Sequence, residues 1–225
     1  MAARKVPHPP HDLSSHLPLS VSPDGRYLMG DVIIRLDDFS AEPIPLPRAE
    51  THFAGWGEER AYFDLAKAGR EALWAVVLPG GGIEHIADAP EAGQWGASVS
   101  PDEKWIAWSQ YDGENSTLVL QEMATGRKER FAGLNSIWHG WSPNGRYLWT
   151  READGGGLSV LETGETIRRV RVRLSEDMRW PGGGMYWSAN GERVAVQLQE
   201  QIEGNLRTRA VVVADADGTN AREGA

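Results

Sequence analysis

Cysteine is absent from this chain of 225 residues. Disulfides, thiolate–metal ligands and a cysteine nucleophile are therefore all excluded. No apolar run approaches the roughly 18 residues that would read as a membrane span, so none is expected. Arg4 and Lys5 near the start are not followed by an apolar stretch, which is not the pattern of a secretory signal. A cytoplasmic address is expected, or a periplasmic one if a leader has been removed. A formal net charge of −9 disfavours a nucleic-acid partner. No Gly-x-Ser-x-Gly nucleophile elbow occurs. The glycine runs Pro79–Gly82 and Pro181–Gly184 lack the Gly-Lys-Ser/Thr ending of a phosphate loop and read as turns. No 3.6-residue apolar stripe lasts beyond two turns, so long amphipathic helices are not expected.

What the chain does have is a repeat. Val21-Ser22-Pro23-Asp24-Gly25-Arg26-Tyr27-Leu28 recurs from Val99, from Trp141 and, with Ala189 for the proline, from Trp187. A weaker copy starts at Trp56. With the proline as anchor (23, 58, 101, 143, 189), the steps are 35, 43, 42 and 46 residues. A period of about 40–45 residues suits propeller blades of four strands each. Pro-Asp-Gly combines a fixed φ, a side chain that caps its own turn and a residue free to take positive φ. Between apolar residues it reads as a tight connection of antiparallel strands.

Two positions before each anchor stand Val21, Trp56, Val99, Trp141 and Trp187, and five after it Leu28, Phe63, Ile106, Leu148 and Val194. Both sets are expected to form the core between blades. Third strands are expected at Asp31–Leu36, Ala72–Leu78, Ser116–Met123, Leu158–Leu161 and Arg209–Ala214. Fourth strands follow at Pro43–Leu46, Ile83–Ala87, Arg127–Phe131, Ile167–Leu174 and Ala221–Gly224. The expected class is all-β, a β-propeller of five four-stranded blades closed by its first and last repeats. A six-bladed or open propeller is the alternative. Residues 1–16 read as a tail and 17–225 as one propeller domain.

The phrase apolar-Ser-Pro-Asp-Gly-basic-aromatic-apolar resembles the TolB-type (WD-like) β-propeller repeat, over roughly residues 17–225. The resemblance implies the propeller fold and says little about activity, because propellers host unrelated functions. TolB itself adds an N-terminal α/β domain, and prolyl-oligopeptidase enzymes add a hydrolase domain; only the propeller is matched here.

Candidate sites are few. His8, His11, Asp12 and His16 could ligate a metal, but the prolines among them argue for a loose tail, and neither metal nor cofactor is expected. Arg169, Arg171 and Arg173 read as one solvated row on an outer strand, a device that discourages a second sheet from pairing. Asp64 stands where the other copies place Met29, Ala107, Trp149 and Ala195, as a drifted position or a functional carboxylate. The richest set comes from propeller geometry. Residues three to seven before each anchor should converge on one mouth of the central channel: His52, Gln94, Trp95, Trp138, His139 and Tyr186, with Trp180 in a longer approach loop. Aromatic platforms with a few polar groups suit an interface or a ligand pocket. These residues include no carboxylate pair, which argues against a glycosidase, and no catalytic residue is assigned. The expected function is a non-catalytic scaffold docking a protein or peptide on its loop face. A glycan, small-molecule or hydrolytic site at the channel mouth, or membership of a larger propeller assembly, are the alternatives; oligomeric state is left open.

Overall fold

The computed structural model describes residues 20–29, 32–44, 50–67, 70–88, 94–111, 116–154, 157–173, 184–202 and 205–224. The expected tail, with its three histidines, and Trp180 lie outside them. The chain forms two compact units, residues 1–92 with 96–99 and residues 93–95 with 100–225.

Among the described residues, twenty strands make five four-stranded sheets, each in chain order. The first contains β1 (Ser20–Val21), β2 (Tyr27–Met29), β3 (Val32–Arg35) and β4 (Ala41–Pro43). The second contains β5 (Glu50–Trp56), β6 (Arg60–Lys67), β7 (Arg70–Val77) and β8 (Ile83–Asp88). The third contains β9 (Gln94–Val99), β10 (Trp105–Tyr111), β11 (Ser116–Glu122) and β12 (Lys128–Ala132). The fourth contains β13 (Leu134–Trp141), β14 (Tyr147–Glu152), β15 (Gly157–Glu162) and β16 (Arg168–Arg173). The fifth contains β17 (Met185–Trp187), β18 (Arg193–Ile202), β19 (Asn205–Asp215) and β20 (Arg222–Gly224). This is the expected five-bladed β-propeller class. Among the described residues there is no helix, so none is long and apolar enough to cross a membrane. Strand boundaries moved in several places, and β4 moved furthest relative to its length: it ends at Pro43, where a strand was expected to begin. Asp38 caps the backbone N–H of Ser40 at 2.8 Å, and Arg35 N–H bonds Ser40 O at 2.9 Å, so the chain turns back early.

The repeated turn holds a network built on its serine. Ser22 Oγ donates to Asp24 Oδ1 at 2.6 Å and accepts the Tyr27 N–H at 2.9 Å. Ser100 does the same between Asp102 and Trp105, Ser142 between Asn144 and Tyr147, and Ser188 between Asn190 and Arg193. One hydroxyl thus satisfies the first amide of the returning strand and orients the side chain that caps the turn. Gly25, Gly145 and Gly191 have φ near +70°, and the third copy puts Glu103 in the same conformation at φ 56°. Partial burial pushes the Asp24 carboxyl up, but hydrogen bonds from Ser22, the Arg26 N–H and the Arg26 side chain outweigh it and hold its pKa at about 2.

The second sheet is different. Gly57 N–H bonds Arg60 O directly, so its turn is two residues shorter than Ser22→Tyr27 or Ser142→Tyr147. Trp56 pairs with Ala61, whereas Val21 pairs with Leu28, Trp141 with Leu148 and Trp187 with Val194. Every residue of β6 is therefore offset by two from the alignment that the anchors suggest.

Apolar faces of successive sheets make the core. Within the first unit, Tyr27, Met29 and Ile33 pack with Trp56, Ala61, Phe63 and Val76. Within the second, Trp105, Leu118 and Leu120 meet Leu134, Leu148 and Leu161. On its other face the fourth sheet presents Trp149, Leu158, Val160 and Val172 to Val194, Val196, Leu198, Val212 and Ala214 of the fifth. Trp149 is fully buried and donates its Nε1–H to Ala216 O at 2.8 Å. Trp56 and Val99 are buried as expected, Trp141 and Trp187 half-buried. Val21 corrects the expectation, being 53% exposed. It shares a face with Leu28, Ile34 and Ala41, turned away from the second sheet.

Arg169 and Arg171 are exposed on the outer strand β16, as a solvated row requires. Arg169 reaches across Ser159 to grip both oxygens of the buried Glu152 at 2.8 Å, and Arg171 pairs with Asp154 at 3.1 Å. These exposed cations also answer carboxylates of β14 and the turn after it; the side chain of Arg173 is not among those described.

Candidate functional site

The two-residue offset changes what Asp64 is. Trp149 pairs with Gly140, Ala195 with Tyr186 and Tyr62 with Gly55, so Tyr62 holds the place of Trp149. Asp64 belongs two residues further along the same face, with Arg151 in the fourth sheet and Gln197 in the fifth. The shared turn geometry places Ser109 with them in the third. Side chains two apart on a strand share a face. Each of these four second strands therefore carries an apolar level (Tyr62, Ala107, Trp149, Ala195) and, one step toward the far end, a polar level (Asp64, Ser109, Arg151, Gln197). No sequence motif marks the polar level; it becomes visible only once the turns are measured.

In the first unit Asp64 is 6% exposed, and its Oδ2 accepts the Ala97 N–H of β9 at 3.1 Å. Directly across from it on β5 stands His52, which is exposed, beside the buried Thr51. Burial raises the Asp64 carboxyl above its ordinary value, against the opposing pull of the Ala97 N–H and of His52. A carboxyl of this kind gains its proton readily and can then donate a hydrogen bond beside a solvent-facing imidazole. Backbone crowding fixes the surroundings: a Cβ on Gly55, at φ 139°, would lie 2.8 Å from Val99 O.

In the second unit Ser109 is buried, and Arg151 is half-buried with its Nε lacking any hydrogen-bond partner among the described residues. Burial lowers the Arg151 guanidinium below its ordinary value, while Asp154 acts in the other direction. Gln197 lies opposite the chain entering β17, its N–H bonded to Gly184 O at 2.9 Å.

The expected mouth residues fall on first strands, as the repeat required. His52 is on β5, Gln94 and Trp95 are on β9, and Trp138 and His139 are on β13, with His139 paired to Thr150 after a bulge. Tyr186 is on β17 and 63% exposed, at a repeat position held elsewhere by Ser20, Gly55, Ser98 and Gly140. The side chains of Gln94, Trp95, Trp138 and His139 are not among those described. Among the described residues no group of three or more His, Asp or Glu is placed to hold a metal.

Comparison with solved structures gives the fold independently. TolB from Acinetobacter baumannii superposes with a TM-score of 0.55 at 16% identity, over 91% of this chain and 61% of that one. The fold is that of a TolB-type β-propeller. The Cps50 (Swd1) β-propeller domain of Myceliophteria thermophila matches with a TM-score of 0.62 at 14% identity, over 98% of this chain and 75% of that domain. An oligogalacturonate lyase in complex with manganese matches at 0.60 and 11% identity, over 90% of this chain and 62% of that enzyme. This chain thus spans less than two thirds of that TolB. At such identities the likeness concerns architecture alone. No protein-family profile and no curated protein matches the chain.

Proposed function

We propose that this propeller is a binding module that docks a protein or peptide at the end of its sheets where the polar level lies. The observation that carries the reading is the pairing of the exposed His52 with the buried Asp64, at a level that stays polar in four successive sheets. Burying Asp64 and the Arg151 Nε costs stability, and buried, perturbed ionisable groups of this kind concentrate at functional sites. The expected residues Trp138 and His139 on β13, and the exposed Tyr186 on β17, are of the aromatic kind that interfaces favour. The Swd1 propeller neighbour agrees with a scaffold role at the level of fold. A cytoplasmic address belongs to the same reading.

The test compares proteins captured by the wild type with those captured by a Trp138→Ala, His139→Ala variant, with circular dichroism as the folding control. Loss of the captured set from a folded variant supports the reading; an unchanged set refutes it.

A further inference from the structure

Within the second unit, the fourth sheet treats two adjacent charges of β14 in opposite ways. Glu152 is 4% exposed, on the face that Leu148 turns to the third sheet, and two arginines of β16 answer it. Arg169 donates to both its oxygens at 2.8 Å, and Arg171 stands 3.6 Å from one of them. Arg151, the residue before it, shares with Trp149 the face packed on the fifth sheet. Its cross-strand neighbours are Asn135 and the fully buried Leu158, and its Nε is buried without a hydrogen bond among the described residues. Asp154 acts on it through charge alone, being exposed and bonded to Arg171 at 3.1 Å. A guanidinium stays charged in a protein. Arg151 is therefore a half-buried cation that no carboxylate among the described residues contacts.

The strand beside Arg151 is irregular at the same place. Asn135 pairs with Arg151 and His139 with Thr150, so residues 136–138 bulge from the ladder between them, and Trp138 is one of the three. Bulges re-aim side chains and are over-represented next to functional sites. The missing acceptor also has a definite chemistry. Nε and one Nη lie along a single edge of a guanidinium, and a carboxylate accepts both N–H groups in parallel. A lysine ammonium has no such edge. A phosphate carries nearly two charges and is best met by a cluster of arginines, whereas one guanidinium balances one carboxylate.

We propose that Arg151 takes a carboxylate of the docked peptide, from an acidic side chain or from a free C-terminus. This rests on the docking reading above and names the chemistry that the polar level recognises. In a partly buried site such a bond is stronger than in water, because the local dielectric is low.

Proton–nitrogen NMR of the arginine Nε–H groups reads the site directly, with Arg151→Lys identifying the Arg151 signal. The full chain is titrated with tetra-aspartate capped at both ends, with N-acetyl-trialanine bearing a free C-terminus, and with trialanine capped at both ends. The expected result is a saturating shift of the Arg151 signal with a carboxylate probe and none with capped trialanine. Whichever probe acts tells side chain from chain end. The Arg169 signal, whose Nε–H already bonds Ser159 Oγ, should stay in place. Arg151→Met, folded by circular dichroism, should bind the active probe at least about tenfold more weakly. An Arg151 signal unmoved by both carboxylate probes, or equal binding by Arg151→Met, would overturn the proposal. A shift with inorganic phosphate alone would overturn it in favour of a phosphate ligand. The docking reading fails separately: partners lost by the Trp138→Ala, His139→Ala variant but kept in full by Arg151→Met would refute the carboxylate contact and leave docking intact.

Discussion

Trp149 and Arg151 are two residues apart on one strand and face the same way, yet the levels they represent behave in opposite ways. At the first level Tyr62, Ala107 and Trp149 are buried and apolar, and Trp149 has its one polar atom satisfied by Ala216 O. At the second, Asp64 is buried with its acidity weakened, and Arg151 keeps an Nε without a partner. In the second and fourth sheets a bulge of the first strand separates the two levels. The demand on the side chain differs too: the first level holds neighbouring sheets together, and the second keeps polar groups where packing alone would favour apolar ones.

The largest effect should come from the apolar level. Trp149→Ala empties a fully buried site and should cost about 3–5 kcal/mol. Arg151→Met removes a half-buried donor without a partner and should change stability by less than about 1 kcal/mol, in either direction. Urea denaturation of the two variants measures the contrast directly, and equal losses would erase it.

Next come the turns that set the levels. Ser142→Ala strands the Tyr147 N–H and releases Asn144, at a cost of about 1–3 kcal/mol by thermal or urea unfolding. Glu103→Gly should stabilise by about 0.5–1 kcal/mol, because glycine takes the φ of 56° without strain.

The smallest effect is on pH dependence. Burial raises the Asp64 pKa in the fold, so folding favours the protonated carboxyl. The resulting stability is complete below the ordinary value of 3.8 and is lost as pH rises through the elevated one. Asp64→Asn should remove that loss and flatten the stability profile above pH 3.8. Asp24, held at about 2, works in reverse: its contribution is present above 3.8 and disappears as pH falls through 2. Unfolding curves across the acid range separate the two carboxyls.

The sequence announced the fold through its turns, since Ser-Pro-Asp-Gly is a local signal and its spacing counts the blades. It could not reveal that the serine hydroxyl serves both strand and cap, because the partner amide lies five residues away. Val21 was misread for a different reason: periodicity identifies an apolar face but not whether another sheet covers it. Asp64 was placed two residues off because the Gly57→Arg60 turn is short, and only hydrogen bonding shows that. Its partner, the Ala97 N–H, lies 33 residues away on another sheet, beyond any local pattern. First-strand positions of the mouth residues followed from the repeat.

The central claim is that the polar level serves binding, and capture of partners by a His52→Ala, Asp64→Asn variant tests it most directly. Wild type and variant are used as bait in extracts of the cells that make the protein, below both melting temperatures. The account predicts that the variant melts within a few degrees of the wild type and loses the wild-type partners. Retention of the same partners at the same yield would contradict it and leave the polar level with a structural role alone.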